Sequence, residues 1–223
     1  MTDSKEKTKQ LASRIDHTLL RPDATRDEVT VVCEEAMRHG FAAVCVAPYF
    51  ITHAAKLLDG SKVVVAAAVG FPFGHGPTFS KVSEAKWAMD NGAREVDAVI
   101  NRSAFRSSDL PYVENEIESL TTVVHFQNGI IKIIIEAGEL QQNDVEQLCK
   151  ICAKRGVDFV KTSSGFSGNG ASVELVKLMR KALPAKVKIK ASGGIRSRAF
   201  ALELLDAGAD RIGCSRSLDI IAE

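Results

Sequence analysis

Short apolar runs alternate with amphipathic stretches along the whole chain, and glycine marks many of the changeovers. After a polar helical stretch from about Ser4 to Ser13, Ile15–Leu20 is the first strand-like run, broken at Pro22-Asp23. Thr25 then opens a helix to His39, Ala42–Val46 is a second strand, and Pro48 starts a helix ending at Gly60. Val63–Val69 is followed by a helix from Thr78 to Asn91, and Glu95–Ile100 by one from Asp109 to Phe126. Ile130–Glu136 leads into a helix over Asn143–Lys154, and Asp158–Lys161 into one over Ala171–Leu183. Val187–Lys190 precedes a helix that Ser197 caps and Gly208 stops; Arg211–Ser215 and a short helix, Leu218–Ala222, close the chain. Runs of four to eight residues rich in Val, Ile and Ala read as buried strands, and the longer 3.6-period stretches as helices.

Five helices end in the same way, at His39-Gly40, Asn91-Gly92, Asn128-Gly129, Arg155-Gly156 and Ala207-Gly208. Glycine just past a helix takes the left-handed conformation at little cost. Eight strand–helix units predict an α/β fold, a (β/α)8 TIM barrel with a short extra N-terminal helix, forming one domain over residues 1–223. The alternative, a doubly wound sheet, lacks a G-x-G-x-x-G after its first strand. The 223 residues are 45% hydrophobic and 26% charged, with net charge +1. That balance is ordinary for a globular chain and points to neither a nucleic-acid nor a membrane surface. Met1–Lys9 lacks the apolar stretch of a signal peptide, and five scattered cysteines fit a reducing compartment, so cytoplasm is expected. Cys149-Lys150-Ile151-Cys152 falls late in a helix, away from the N-terminal end that activates a redox thiol, and reads as two small residues on one face. No pair of histidines has metal-ligand spacing, so neither metal nor cofactor is expected.

The candidate chemistry lies between Asp158 and Arg196. Two parallel strands there end in Lys161 and Lys190, each before a Ser/Gly-rich loop, at the end where parallel α/β folds carry their active sites. A strand-end lysine can also simply extend its amine to solvent. Two at matching ends favour a site. If both point inward, desolvation and mutual repulsion pull an amine toward its neutral, nucleophilic form, able to make a Schiff base with a carbonyl. One should be the nucleophile and the other its charged neighbour; the pattern does not say which. Asp97, a carboxylate inside an apolar strand, is the third candidate, because burying it is costly unless it is paired. The loops Ser192-Gly193-Gly194-Ile195-Arg196 and Gly213-Cys214-Ser215-Arg216 occupy the usual phosphate position of such barrels.

Five segments together resemble the deoxyribose-phosphate aldolase family: Ile15-Asp16-His17-Thr18-Leu19-Leu20, Gly70-Phe71-Pro72, Glu95-Val96-Asp97, Val160-Lys161-Thr162-Ser163 and Lys190-Ala191-Ser192-Gly193-Gly194-Ile195-Arg196. The resemblance implies a class I aldolase cleaving 2-deoxy-D-ribose 5-phosphate to D-glyceraldehyde 3-phosphate and acetaldehyde. It puts the Schiff base on Lys161 and the proton transfers on Asp97 and Lys190, and it suggests a homodimer or larger homo-oligomer. Asp16, Cys45, Ser164 and Gly165 join Gly193, Gly194, Ile195, Arg196, Gly213 and Ser215 as candidate substrate or phosphate contacts. The chain departs from the family pattern at Ala47, Arg102 and Ala137, and at Arg216 in the last loop. An aldolase for another sugar phosphate, or a sugar-phosphate-binding barrel without turnover, are the rival readings.

Strand parity adds an expectation of its own. Alternation from Asp97, from Glu136 on strand five and from Lys190 puts Glu95, Lys132 and Lys188 inside the barrel beneath the site. Glu95 should then pair with at least one of these lysines. If strand seven starts late, Lys186, and with it Lys188, lies on the exposed bottom rim instead.

Overall fold

A computed structural model of the chain describes residues 2–222. Among them, α1 (Thr2–Ala12) precedes eight strands: β1 (Ile15–Leu19), β2 (Ala43–Val46), β3 (Val64–Val69), β4 (Glu95–Val99), β5 (Ile130–Ile134), β6 (Phe159–Lys161), β7 (Lys188–Ser192) and β8 (Arg211–Cys214). The remaining helices are α2 (Arg26–His39), α3 (Ile51–Leu57), α4 (Thr78–Asp90), α5 (Arg102–Arg106), α6 (Leu110–Phe126), α7 (Gln142–Lys154), α8 (Val173–Ala182), α9 (Arg198–Asp206) and α10 (Ser217–Ile221). The strands pair in parallel in sequence order, and β1 closes on β8 through Ile15↔Ile212, Asp16↔Gly213 and His17↔Cys214. This is a (β/α)8 TIM barrel with one extra N-terminal helix. No helix among the described residues is long and apolar enough to cross a membrane.

Local chemistry accounts for the helix ends. Thr25 and Glu28 form a reciprocal capping box at the start of α2, while Ser172 and Ser197 cap α8 and α9 with their hydroxyls. Gly40 ends α2 at φ 69°. The end of α6 differs from expectation: Asn128 takes the left-handed conformation, at φ 56°, and Gly129 does not. Gly129 is there for space, since a Cβ on it would lie 2.4 Å from Met89 Cε. The helix expected from Pro48 divides into a short 3-10 turn, Pro48–Phe50, and α3. Helix α5 was not expected, because its five residues carry no apolar period; Asn101 accepts a bond from the Ala104 N–H and Phe105 alone is buried.

The apolar core lies between barrel and helices, where outward-facing Val44, Val65, Val96, Ile131, Val160 and Ile189 meet the helix faces. Cys149 and Cys152 belong to this layer and pack as small apolar residues, and burial pushes the Cys149 thiol up to about 12. The barrel interior is different. Its separate apolar cluster consists only of Ala43, Cys45 and Ala66 among fully buried residues. Barrel interiors are usually filled by Val, Ile and Leu. Small residues on β2 and β3 here leave room for long charged side chains from β5 to β8. Lys188 is not one of them: it begins β7, is exposed, and lies with its amine 5.5 Å from the centre of the Phe159 ring. The expectation of an inward Lys188 is thus corrected, because β7 starts at that residue and its flexible stem turns to solvent.

Candidate active site

The charged residues from six strands converge inside the barrel. Asp97 on β4 sits at the centre. Its Oδ2 accepts from Lys161 Nζ on β6 at 2.8 Å and from Lys190 Nζ on β7 at 2.7 Å, and its Oδ1 from Lys132 Nζ on β5 at 2.8 Å. Lys132 also pairs with Glu95 Oε2 at 2.5 Å and lies 3.8 Å from Asp16 Oδ2. Asp16 on β1 pairs with Lys190 and accepts from Arg211 Nη1 at 2.6 Å, while Arg211 Nη2 is 3.6 Å from Glu95 Oε1. The predicted Glu95–lysine pairing is therefore present, through Lys132. That lysine also touches Asp97 itself, so the ionic layer and the catalytic layer are one network.

Burial alone would raise the Asp97 carboxyl, but Lys132, Lys161 and Lys190 together hold it well below the ordinary range. Asp16 is opposed by burial in the same way and is held at about 2 by Lys190, Lys132 and Arg211. Lys190 loses from burial, and the Asp16 and Asp97 carboxylates outweigh that loss and keep it above its ordinary value. Lys190 is thus held charged, as one of the two strand-end lysines was expected to be, and Asp97 stands between the amines. The network contains three carboxylates, Asp16, Glu95 and Asp97, and four basic side chains, Lys132, Lys161, Lys190 and Arg211. The basic groups outnumber the carboxylates by one. Lys161 has a single carboxylate contact, the fewest of the three.

Lys161 also belongs to the wall of an open cavity of 340 Å³, formed with the loops after β1, β6, β7 and β8. Ser164, Gly165, Gly193, Gly194, Ile195, Arg196, Gly213 and Ser215 all line it, together with Arg21, Phe166 and Arg216. Asp97, Lys190, Asp16 and Cys45 lie behind this wall, fully buried. Cys45 Sγ is 4.0 Å from Asp97 Oδ2, and burial raises its thiol. The loops are tied together: Ser164 N–H donates to Glu136 Oε1 at 3.0 Å, and Ser192 Oγ donates to the Ser163 carbonyl at 2.6 Å. Gly213 is required by a close approach, since a Cβ there would lie 2.7 Å from Lys190 Cε. Arg211 and the tie made by Glu136 were missed from sequence. Arg211 shares its parity with Gly213, which could have found it. Glu136 was placed on strand parity, but β5 ends at Ile134 and Glu136 adopts φ 52°, so parity no longer applies there. Among the described residues, no group of three or more His, Cys, Asp or Glu could hold a metal ion.

A cluster of lysines around one carboxylate, with one of the lysines lining a cavity, suits an imine-forming site. The model of the DeoC/LacD family aldolases matches residues 11–219. The chain belongs to this aldolase family. It is 44% identical over 216 residues to the deoxyribose-phosphate aldolase of Caldicellulosiruptor saccharolyticus, covering 96% of this chain and 98% of that one. The Thermococcus gammatolerans deoxyribose-phosphate aldolase is 43% identical over 213 residues, 95% of each chain. Among solved structures, the deoxyribose-phosphate aldolase of Aeropyrum pernix, described as a tetramer, superposes with a TM-score of 0.90 at 30% identity, over 99% of this chain and 94% of its own.

Proposed function

We propose that this family member is a class I aldolase that reversibly cleaves 2-deoxy-D-ribose 5-phosphate to D-glyceraldehyde 3-phosphate and acetaldehyde, with Lys161 as the Schiff-base residue. The observation that carries the reading is the position of Lys161, which lines the cavity and whose Nζ is 2.8 Å from an Asp97 oxygen shared with Lys190. An amine must be neutral to attack a carbonyl. The amine adds to the aldehyde carbon of the open-chain sugar, and loss of water gives an iminium. Removal of the proton from the 3-hydroxyl then breaks the bond between the second and third carbons. The electron pair moves onto the iminium as an enamine, and glyceraldehyde 3-phosphate leaves. Asp97 and Lys190, acting through water, carry the proton from the hydroxyl and return one to the enamine carbon. Hydrolysis of the resulting imine releases acetaldehyde and restores the amine.

Arg196, exposed beside the cavity, and the loops around Gly193–Ile195 and Gly213–Ser215 are the proposed phosphate contacts. Their distance from the network lets binding of the phosphate orient the reacting carbon. The reading extends to a homo-oligomer working in the cytoplasm. The test is release of acetaldehyde from 2-deoxy-D-ribose 5-phosphate, followed by its reduction in a coupled assay. Lys161→Arg should remove turnover while the fold persists, because a guanidinium stays protonated and forms no imine. Substantial activity in that variant overturns the assignment.

A further inference from the structure

On the far side of β1 from Asp16 lies a second polar chain that the reaction does not use. His17 points outward, is 3% exposed, and packs its ring 5.2 Å from that of Phe41. Its Nε2 is 2.8 Å from Glu35 Oε2 on α2, and its Nδ1 is 2.9 Å from Ser217 Oγ at the start of α10. Ser217 is fully buried, with Oγ 3.3 Å from Cys214 Sγ and 3.2 Å from the Cys214 carbonyl. We propose that Glu35, His17 and Ser217 act as positioning residues that set the shape of the Gly213–Arg216 loop and so determine affinity for the phosphate end of the substrate. This rests on the phosphate placement proposed above.

The direction of the hydrogen bonds follows from the chemistry. Burial holds the His17 imidazole below its ordinary value against the opposing pull of Glu35, so the ring is neutral and has one donor and one acceptor. The Glu35 carboxylate can only accept, so Nε2 carries the proton, and Nδ1 accepts from the Ser217 hydroxyl. Both ring nitrogens are then used; the single Ser217 proton is shared between Nδ1 and the Cys214 carbonyl, and the oxygen can accept from the Cys214 thiol. The same short loop is held from the other side as well, where Gly213 lies against the Lys190 side chain and Asp16 pairs across β1 and β8. His17 and Cys214 are also register partners, and Cys214 lines the cavity. Helix α2, fixed by its capping box, is the rigid support at the other end of the chain.

The ordinary alternative is a buried polar cluster that only stabilises the barrel. Steady-state kinetics on 2-deoxyribose 5-phosphate and on unphosphorylated 2-deoxyribose separate the two. Ser217→Ala removes one oxygen and is the primary variant; His17→Leu and His17→Asn accompany it. Loss of one such hydrogen bond should raise KM for the phosphorylated sugar about fivefold, with kcat little changed, and lower the preference for that sugar by the same factor. His17→Asn, which keeps an acceptor near the Nδ1 position, should recover part of what His17→Leu loses. If Ser217→Ala keeps the parent's preference, or loses rate on both sugars in step, the positioning role is refuted while the phosphate site stands. If the parent itself shows no preference for the phosphorylated sugar, the phosphate placement fails and this inference falls with it.

Discussion

Replacing Lys132 by methionine should damage stability and catalysis together, and replacing Glu95 by glutamine in the same chain should restore part of each. Lys132 is fully buried and bridges Glu95 at 2.5 Å and Asp97 at 2.8 Å. Without it, Glu95 retains, among the described residues, the Arg211 contact at 3.6 Å, while Asp97 keeps Lys161 and Lys190. Removing one partner of a buried ion pair typically costs about 3–5 kcal/mol, because the other charge is left uncompensated. The catalytic consequence comes from the charge count. With Lys132 absent, three carboxylates face three basic groups, so the network loses its surplus of one base and Asp97 loses one of the three lysines that hold it. Lys132→Met/Glu95→Gln removes the orphaned charge and returns the surplus of one base. Urea titration of the parent, both single variants and the double variant gives the coupling energy, and kcat measured on the same four proteins gives the catalytic counterpart. A Lys132→Met variant destabilised by less than about 1 kcal/mol, or effects that simply add in the double variant, would refute the reasoning.

Stability should fall on the acid side as the network's carboxylates protonate. Asp16 is held at about 2, below its ordinary 3.8, so its contribution is complete above the unfolded value and is lost as pH drops through the folded one. Asp16 alone accounts for on the order of 2 kcal/mol between about pH 5 and pH 2, and Asp97 adds in the same direction. Lys190 is raised, so its contribution persists below the ordinary lysine value and disappears only in stronger alkali. Unfolding free energies measured across pH check this, and a flat acid limb would contradict it. Asp97→Asn should reduce kcat by about a hundredfold or more, the scale of a lost proton-transfer group, while the protein still binds substrate. Near-normal kcat in that variant would remove Asp97 from the mechanism.

The barrel was legible because short apolar runs and glycine helix stops recur along the chain, and parity, once Asp97 and Lys190 were taken as inward, correctly sent Glu95 and Lys132 to the interior. Parity failed at strand ends. It cannot tell that β7 starts at Lys188, leaving that side chain in solvent, or that the backbone turns left-handed at Glu136. The residue pattern alone also could not separate Lys161 from Lys190. Both end a strand before a Ser/Gly loop, and only the fold reveals that Lys190 is enclosed by two carboxylates while Lys161 meets the cavity. Asp16 read as a substrate contact for a similar reason: its strand motif marks importance, while its partners across the closed barrel, Lys190 and Arg211, are nearly two hundred residues away in sequence.

The central claim, that Lys161 forms the imine and Lys190 does not, is tested most directly by trapping. The protein is incubated with acetaldehyde, reduced with borohydride, digested, and the modified peptide is identified by mass spectrometry. An ethyl group on Lys161, absent without acetaldehyde and absent from Lys161→Arg, is the predicted result. An ethyl group on Lys190 or Lys132, or no acetaldehyde-dependent modification at all, would contradict the account.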